Sequence, residues 1–183
     1  MVVLEEQNYQ DNIKKYNSLV ERLKEVLGNT TIIHHVGSTA IPNMIGKNII
    51  DILIGINSEE EMDLFTNKLK EIGFYPGQKS TGYTYRFFAS KEEETTSGDI
   101  HIHLADTNSD RYKDFIILKE YLLENTEERE NYANFKKKII TNGNNIREDY
   151  KSIKSKYVTD LLKRARWRAA VHGAAKSQTR LSA

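Results

Sequence analysis

Ile32-Ile33-His34-His35-Val36-Gly37-Ser38-Thr39-Ala40-Ile41-Pro42, then Gly46-Lys47-Asn48, then Ile49-Ile50-Asp51-Ile52-Leu53-Ile54-Gly55-Ile56, is the stretch on which the reading of this chain turns. Two apolar runs flank a Gly-Ser-Thr break and a Pro-marked turn, and the second run carries one carboxylate. The first run is β-branched, as strands are. The second is nearly continuous in its apolar character, which predicts a central strand covered on both faces. Gly37 lacks a Cβ and lets the backbone approach a ligand closely. Ser38 and Thr39 set hydroxyls beside backbone N–H donors that can face an anion. Asp51 offers a hard oxygen ligand from the neighbouring strand. The combination predicts a site for phosphate and a divalent metal.

Outward from this stretch the chain alternates helix and strand. Ile13, Tyr16, Leu19, Val20, Leu23, Val26 and Leu27 recur at helical spacing over Asn12–Leu27, and Gly28 ends that helix. Ser58 with Glu61 is a capping box opening a helix through Met62, Phe65, Leu69 and Ile72. Tyr83–Ala89 reads as a strand, and Lys91–Gly98 as a polar hairpin connection. Asp99-Ile100-His101-Ile102-His103-Leu104 alternates strictly, so Asp99, His101 and His103 share one strand face. Three helices follow: one from Ser109, one from a second capping box at Asn125 and Glu128, and one over Asn145–Ala165. Helix, strands interleaved with a helix, then helices is an α+β order, a mixed sheet with helices packed on it.

The chain has 183 residues, 38% hydrophobic and 29% charged, and no cysteine. That size supports one proper core, and the lack of Cys excludes disulfides and thiolate chemistry. The N-terminal residues lack the basic-then-apolar layout of a secretory signal. No apolar run approaches the roughly 20 residues needed to span a bilayer. A soluble, cytoplasmic protein with no membrane partner is expected. Net charge is +1, but residues 1–164 hold 23 basic against 26 acidic residues, which argues against general nucleic-acid binding by that part. Residues 165–183 differ in kind. They hold six of the ten alanines, the only Trp and no acid. This basic Ala-rich tail is expected to be non-native or disordered and is set apart from a domain over 1–164.

His35-Val36-Gly37-Ser38-Thr39-Ala40-Ile41-Pro42 with Lys47-Asn48-Ile49-Ile50-Asp51-Ile52 resembles the signature of the GrpB family (UPF0157), itself similar to the nucleotidyltransferase superfamily. The resemblance continues through Arg86-Phe87-Phe88, His101-Ile102-His103-Leu104, Tyr132-Ala133-Asn134-Phe135-Lys136 and Tyr150 with Lys154. It implies a nucleotidyltransferase-like mixed sheet with added C-terminal helices, and a Gly-Ser turn over nucleotide phosphates. It also implies a D-x-[DE] pair of metal-binding acids on the next strand. Asp51 matches the first acid, but Leu53 stands at the second and cannot bind metal. Multi-metal phosphoryl transfer needs several oxygen ligands, so a weaker single-metal site or no transfer chemistry is expected.

The expected roles are therefore these. Gly37, Ser38 and Thr39 hold phosphate, and Lys47 neutralises it as a point charge. Arg86 and Lys154 are further candidates for the anion, although a carboxylate partner serves Arg86 equally well. Asp51, Asp99, His101 and His103 are the candidate ligands for a divalent metal, Mg²⁺ or Mn²⁺ before Zn²⁺, and Asp51, His101 and His103 the candidate catalytic groups. His35 is expected to brace the Gly-Ser turn and His34 to be exposed. The leading function is binding of a nucleotide or other phosphorylated small molecule, with nucleotidyl transfer as its catalytic form. Two alternatives stay open: a non-catalytic nucleotide-binding module, and a metal-dependent hydrolase using Asp51 and the His101/His103 strand.

Overall fold

The computed structural model of the chain describes residues 1–77, 82–90 and 99–181, the last ten of these as backbone only. The expected 91–98 connection lies outside the described residues. The chain falls into two compact units, Val3–Phe115 and Met1–Val2 with Ile116–Ala183, where the sequence suggested one domain over 1–164.

The first unit holds a five-stranded mixed sheet. In chain order its elements are β1 (Glu5–Glu6), α1 (Tyr9–Leu27), β2 (Ile33–Val36), a 3-10 turn (Ser38–Ala40) and β3 (Ile45–Gly46). Then come β4 (Ile50–Ile56), α2 (Glu59–Glu71), β5 (Tyr75–Pro76), β6 (Tyr85–Ala89) and β7 (Ile100–Asp106). The sheet order is β2-β4-β7-β6-β5, with β1 pairing β3 separately. β4 lies antiparallel to β2 and parallel to β7, and β7 antiparallel to β6. The α+β architecture read from the sequence is the one observed.

Strand alternation sends opposite residue sets to the two faces. Ile50, Ile52, Ile54, Ile56, Phe88, Ile102 and Leu104 form a core with Leu19, Leu23 and Leu27 of α1 and Met62, Phe65 and Leu69 of α2. Both helices pack here because each carries an apolar stripe at the three-four spacing. Ser58 caps α2 by accepting from the Glu61 backbone N–H at 3.1 Å. The Glu61 carboxylate reaches back to the Asn57 backbone N–H at 2.7 Å. The other sheet face carries Asp51, Leu53, His101, His103, Tyr85 and Phe87. The first turns of α3 (Asp110–Glu124) lie against it through Arg111, Tyr112 and Phe115.

The second unit is helical: the rest of α3, α4 (Thr126–Thr141) and α5 (Arg147–Leu181). Tyr157 stacks on Tyr132 and Phe135. Glu128 accepts from Arg164 Nε at 2.7 Å, Arg164 Nη2 at 3.0 Å and the Tyr121 hydroxyl at 3.0 Å. The capping box expected at Asn125 and Glu128 is therefore absent. The Asn125 side chain makes no cap bond, and its amide donates to the Tyr121 carbonyl at 2.8 Å. Lys136 is buried. Its Nζ stands 4.7 Å from the Tyr132 ring centroid, and burial, with the Lys154 charge, holds its amine well below the ordinary lysine range. The last helix was expected to stop at Ala165, yet α5 continues to Leu181. Ala165 is buried, and Arg168 donates to Asn125 and pairs with Glu124 at 3.9 Å. The compositional break at 164 is thus no break in the helix. Among the described residues no helix is long and apolar enough to cross a membrane.

Candidate functional site

The sheet register brings the key residues together. Asp51 pairs with Val36 on one side and His101 on the other, and Leu53 with His34 and His103. A carboxylate in mid-sheet thus faces two imidazoles from the next strand. Asp51 Oδ1 stands 3.2 Å from His101 Nδ1 and 3.5 Å from His103 Nε2. A quarter of the Asp51 side chain is exposed, and its histidine neighbours are more enclosed.

Gly37 closes the site from the β2 side. Its φ of 73° lies in the left-handed region, and a Cβ built on it would stand 2.2 Å from Asp51 Oδ2. Both facts require glycine. The turn backbone and the carboxylate are in contact. Ser38 follows in the 3-10 turn, half-buried and packed on Gly46, where a Cβ would meet Ser38 Cβ at 2.9 Å.

Thr39, expected to hold phosphate, is buried as a brace. Its hydroxyl donates to the Ile49 carbonyl at 3.0 Å and lies 3.0 Å from His35 Nε2. His35 stacks on Tyr16 at 4.6 Å, so it supports the turn as expected. His34 is not exposed but half-buried, 2.9 Å from the Tyr112 hydroxyl. Lys47 is exposed in the connection between β3 and β4.

Three other candidates lie elsewhere. Arg86 projects to the opposite face, donating to Asp63 and to the Thr66 hydroxyl of α2, each at 2.7 Å. The carboxylate partner is the reading that fits it. Asp99 precedes β7, so strand alternation no longer fixes its direction. It accepts from the Ser90 hydroxyl at 3.0 Å and lines an open cleft of about 490 Å³ with Lys14, Arg22 and Asn48. Lys154 belongs to the helical unit, where its charge acts on Lys136 and Tyr150.

Two residues that sequence reading missed complete the site. The Tyr85 hydroxyl lies 2.7 Å from His103 Nδ1, and the Arg111 guanidinium sits 4.2 Å from the centre of the Tyr85 ring. Burial pushes the Tyr85 phenol up to about 12, against the Arg111 charge. Phe87 and Phe115 enclose His103, with ring centroids 5.4 and 4.6 Å away. Strand parity put Tyr85 on this face; nothing local in the sequence marked Arg111.

Burial raises the Asp51 carboxyl, but hydrogen bonds and charge from His101 and His103 outweigh it and carry it below the usual carboxylate range. Burial lowers His103, against the bond and charge from Asp51. Among the described residues no group of three or more His, Asp or Glu side chains is disposed to hold a metal ion. One nitrogen of each imidazole is turned to the carboxylate itself. Leu53, at the position of the expected second acid, is wholly buried on this face.

Residues 2–164 match the family model described as GrpB protein. The chain belongs to the GrpB family. It is 28% identical over 158 residues to the UPF0157 protein BH1888 of Halalkalibacterium halodurans, covering 83% of this chain and 76% of that protein. To the UPF0157 protein YqkA of Bacillus subtilis it is 33% identical over 120 residues, covering 65% of this chain and 34% of YqkA. This chain therefore matches about a third of that relative's length. The crystal structure of conserved protein GrpB from Enterococcus faecalis superposes with a TM-score of 0.73 at 21% identity, covering 89% and 96% of the two chains. The fold is shared with that GrpB structure. The family match ends at 164, whereas α5 runs on to Leu181.

Proposed function

We propose that this GrpB-family chain binds a nucleotide or other phosphorylated small molecule together with a divalent metal ion, at the Gly37-Ser38 turn beside Asp51. The observation that carries the reading is the contact of Gly37 with the Asp51 carboxylate, where a Cβ would fall 2.2 Å from Oδ2. A close-approach turn and an ionised oxygen ligand then share one spot, with half-buried Ser38 next in the turn and Lys47 in the following connection.

The donor set fits one ion held jointly with its ligand. Asp51 supplies one protein oxygen, too few for a closed cage, and phosphate oxygens and water would supply the rest. An all-oxygen donor set of this kind suits Mg²⁺ or Mn²⁺. When bound, the ion supplies charge neutralisation and polarisation of a phosphoryl oxygen. The chain's own residues hold Asp51 charged, keep the turn against it and exclude water on the Phe87 and Phe115 side.

Leu53 favours binding over nucleotidyl transfer, because a wholly buried leucine stands where a second metal-binding acid would be needed. Thermal-shift and calorimetric titration of ATP with and without Mn²⁺ test the proposal, since ligand binding to the native state raises apparent stability. Stabilisation by ATP with Mn²⁺ is expected, its metal-dependent part lost in Asp51→Ala, with no release of pyrophosphate in excess Mn²⁺. Equal ATP affinity in wild type and Asp51→Ala, with or without metal, overturns the metal-centred reading.

A further inference from the structure

His101 and His103 read alike in the sequence, but their ring nitrogens are committed differently. Both nitrogens of His103 are engaged: Nδ1 lies 2.7 Å from the Tyr85 hydroxyl and Nε2 3.5 Å from Asp51 Oδ1. His101 uses Nδ1 toward Asp51 at 3.2 Å, and its Nε2 has no hydrogen-bond partner among the described residues.

The proton placement on His103 follows from its neighbours. The ionised Asp51 carboxylate only accepts, so the His103 nitrogen that faces it, Nε2, carries the hydrogen. The Tyr85 proton is then directed at His103 Nδ1, which must accept. A neutral imidazole accepting at Nδ1 carries its hydrogen on Nε2, which here faces the Asp51 carboxylate. Phe87 and Phe115 pack round the same ring.

We infer that His103 is a positioning residue, its Nε2–H fixed on Asp51 by Tyr85, and that of the two histidines His101 presents the open ring nitrogen to a ligand. The chain Tyr85–His103–Asp51 fixes the carboxylate from behind, and His101 Nε2, on the side of the ring away from Asp51, is the nitrogen left to a ligand. Only this ligand-facing half rests on the binding proposal above.

Long-range ¹H–¹⁵N correlation spectra of the ligand-free protein read the tautomer directly. His103 is expected as the Nε2–H form in wild type and as a mixture of both forms in Tyr85→Phe. A wild-type His103 protonated at Nδ1, or a tautomer unchanged in Tyr85→Phe, overturns the assignment. A second measurement needs no variant. Diethyl pyrocarbonate, followed by peptide mass spectrometry, should modify His101 at least about fivefold faster than His103, because the reagent needs an uncommitted imidazole nitrogen. Equal or faster modification of His103 overturns the division. Both readouts use ligand-free protein, so they stand or fall independently of whether ATP with Mn²⁺ binds.

Discussion

Asp51 and His103 are tied by more than position: each changes the protonation of the other, and both make the fold sensitive to acid. Burial lowers His103 below its ordinary value of 6.5. The unfolded chain therefore takes up that proton first as pH falls, so the contribution of neutral His103 is full above about pH 6.5 and is lost below it. Asp51 acts in the same direction at lower pH. Its folded value lies below the ordinary 3.8, so its contribution is full above that and lost on further acidification. The melting temperature is expected to fall steadily from pH 7 to pH 5, with a shallower slope in His103→Gln, which titrates nowhere in that range. Parallel melting curves for the two proteins across this interval would remove His103 as the cause. The identity of the site's carboxylate was legible from its place in an apolar run. Its partners Tyr85 and Arg111 were not, because sequence spacing does not show which side chain a distant helix lays over a strand.

Among the elements, the β2–3-10 connection is the most constrained. Gly37 combines a left-handed φ with the Asp51 carboxylate at its Cα, and Thr39 and His35 lock the following turn to the Ile49 carbonyl and to Tyr16. Gly37→Ala is expected to cost more than about 2 kcal/mol in urea denaturation, since a non-glycine residue there is strained and Asp51 must move. A loss under about half of that would mean the turn relaxes without disturbing the carboxylate. Strand periodicity gave the faces of β4 and β7 correctly, because alternation is a property of the extended backbone itself. It misplaced Asp99, which precedes the first paired residue of β7 and so escapes the alternation. The Asn125 cap failed for a comparable reason: Glu128 is taken by Arg164, a partner 36 residues away.

For the whole chain, the boundary at 164 separates composition and family match but not structure. Ala165 is buried and Arg168 reaches Asn125 and Glu124, so the start of the tail packs within the helical unit. A chain ending at Arg164 is expected to be less stable in urea than one ending at Val171, by about 1 kcal/mol, the scale of a charge-assisted hydrogen bond and a small buried side chain. Identical curves would show that these contacts contribute nothing. The sequence by itself determined the α+β order, the two faces of the central strands, the Gly37 turn and the single acid at Asp51. These follow from hydrophobic period and from the lack of a Cβ, both local properties of the chain. Tertiary structure decided which strands are neighbours, and with that the pairing of Asp51 with His101 and His103. It turned Arg86 to Asp63, buried Thr39 and Lys136, and set Tyr85 and Arg111 behind His103. Such contacts depend on register and on packing between distant segments, and the energy of a buried hydrogen bond is settled only once its partner has arrived.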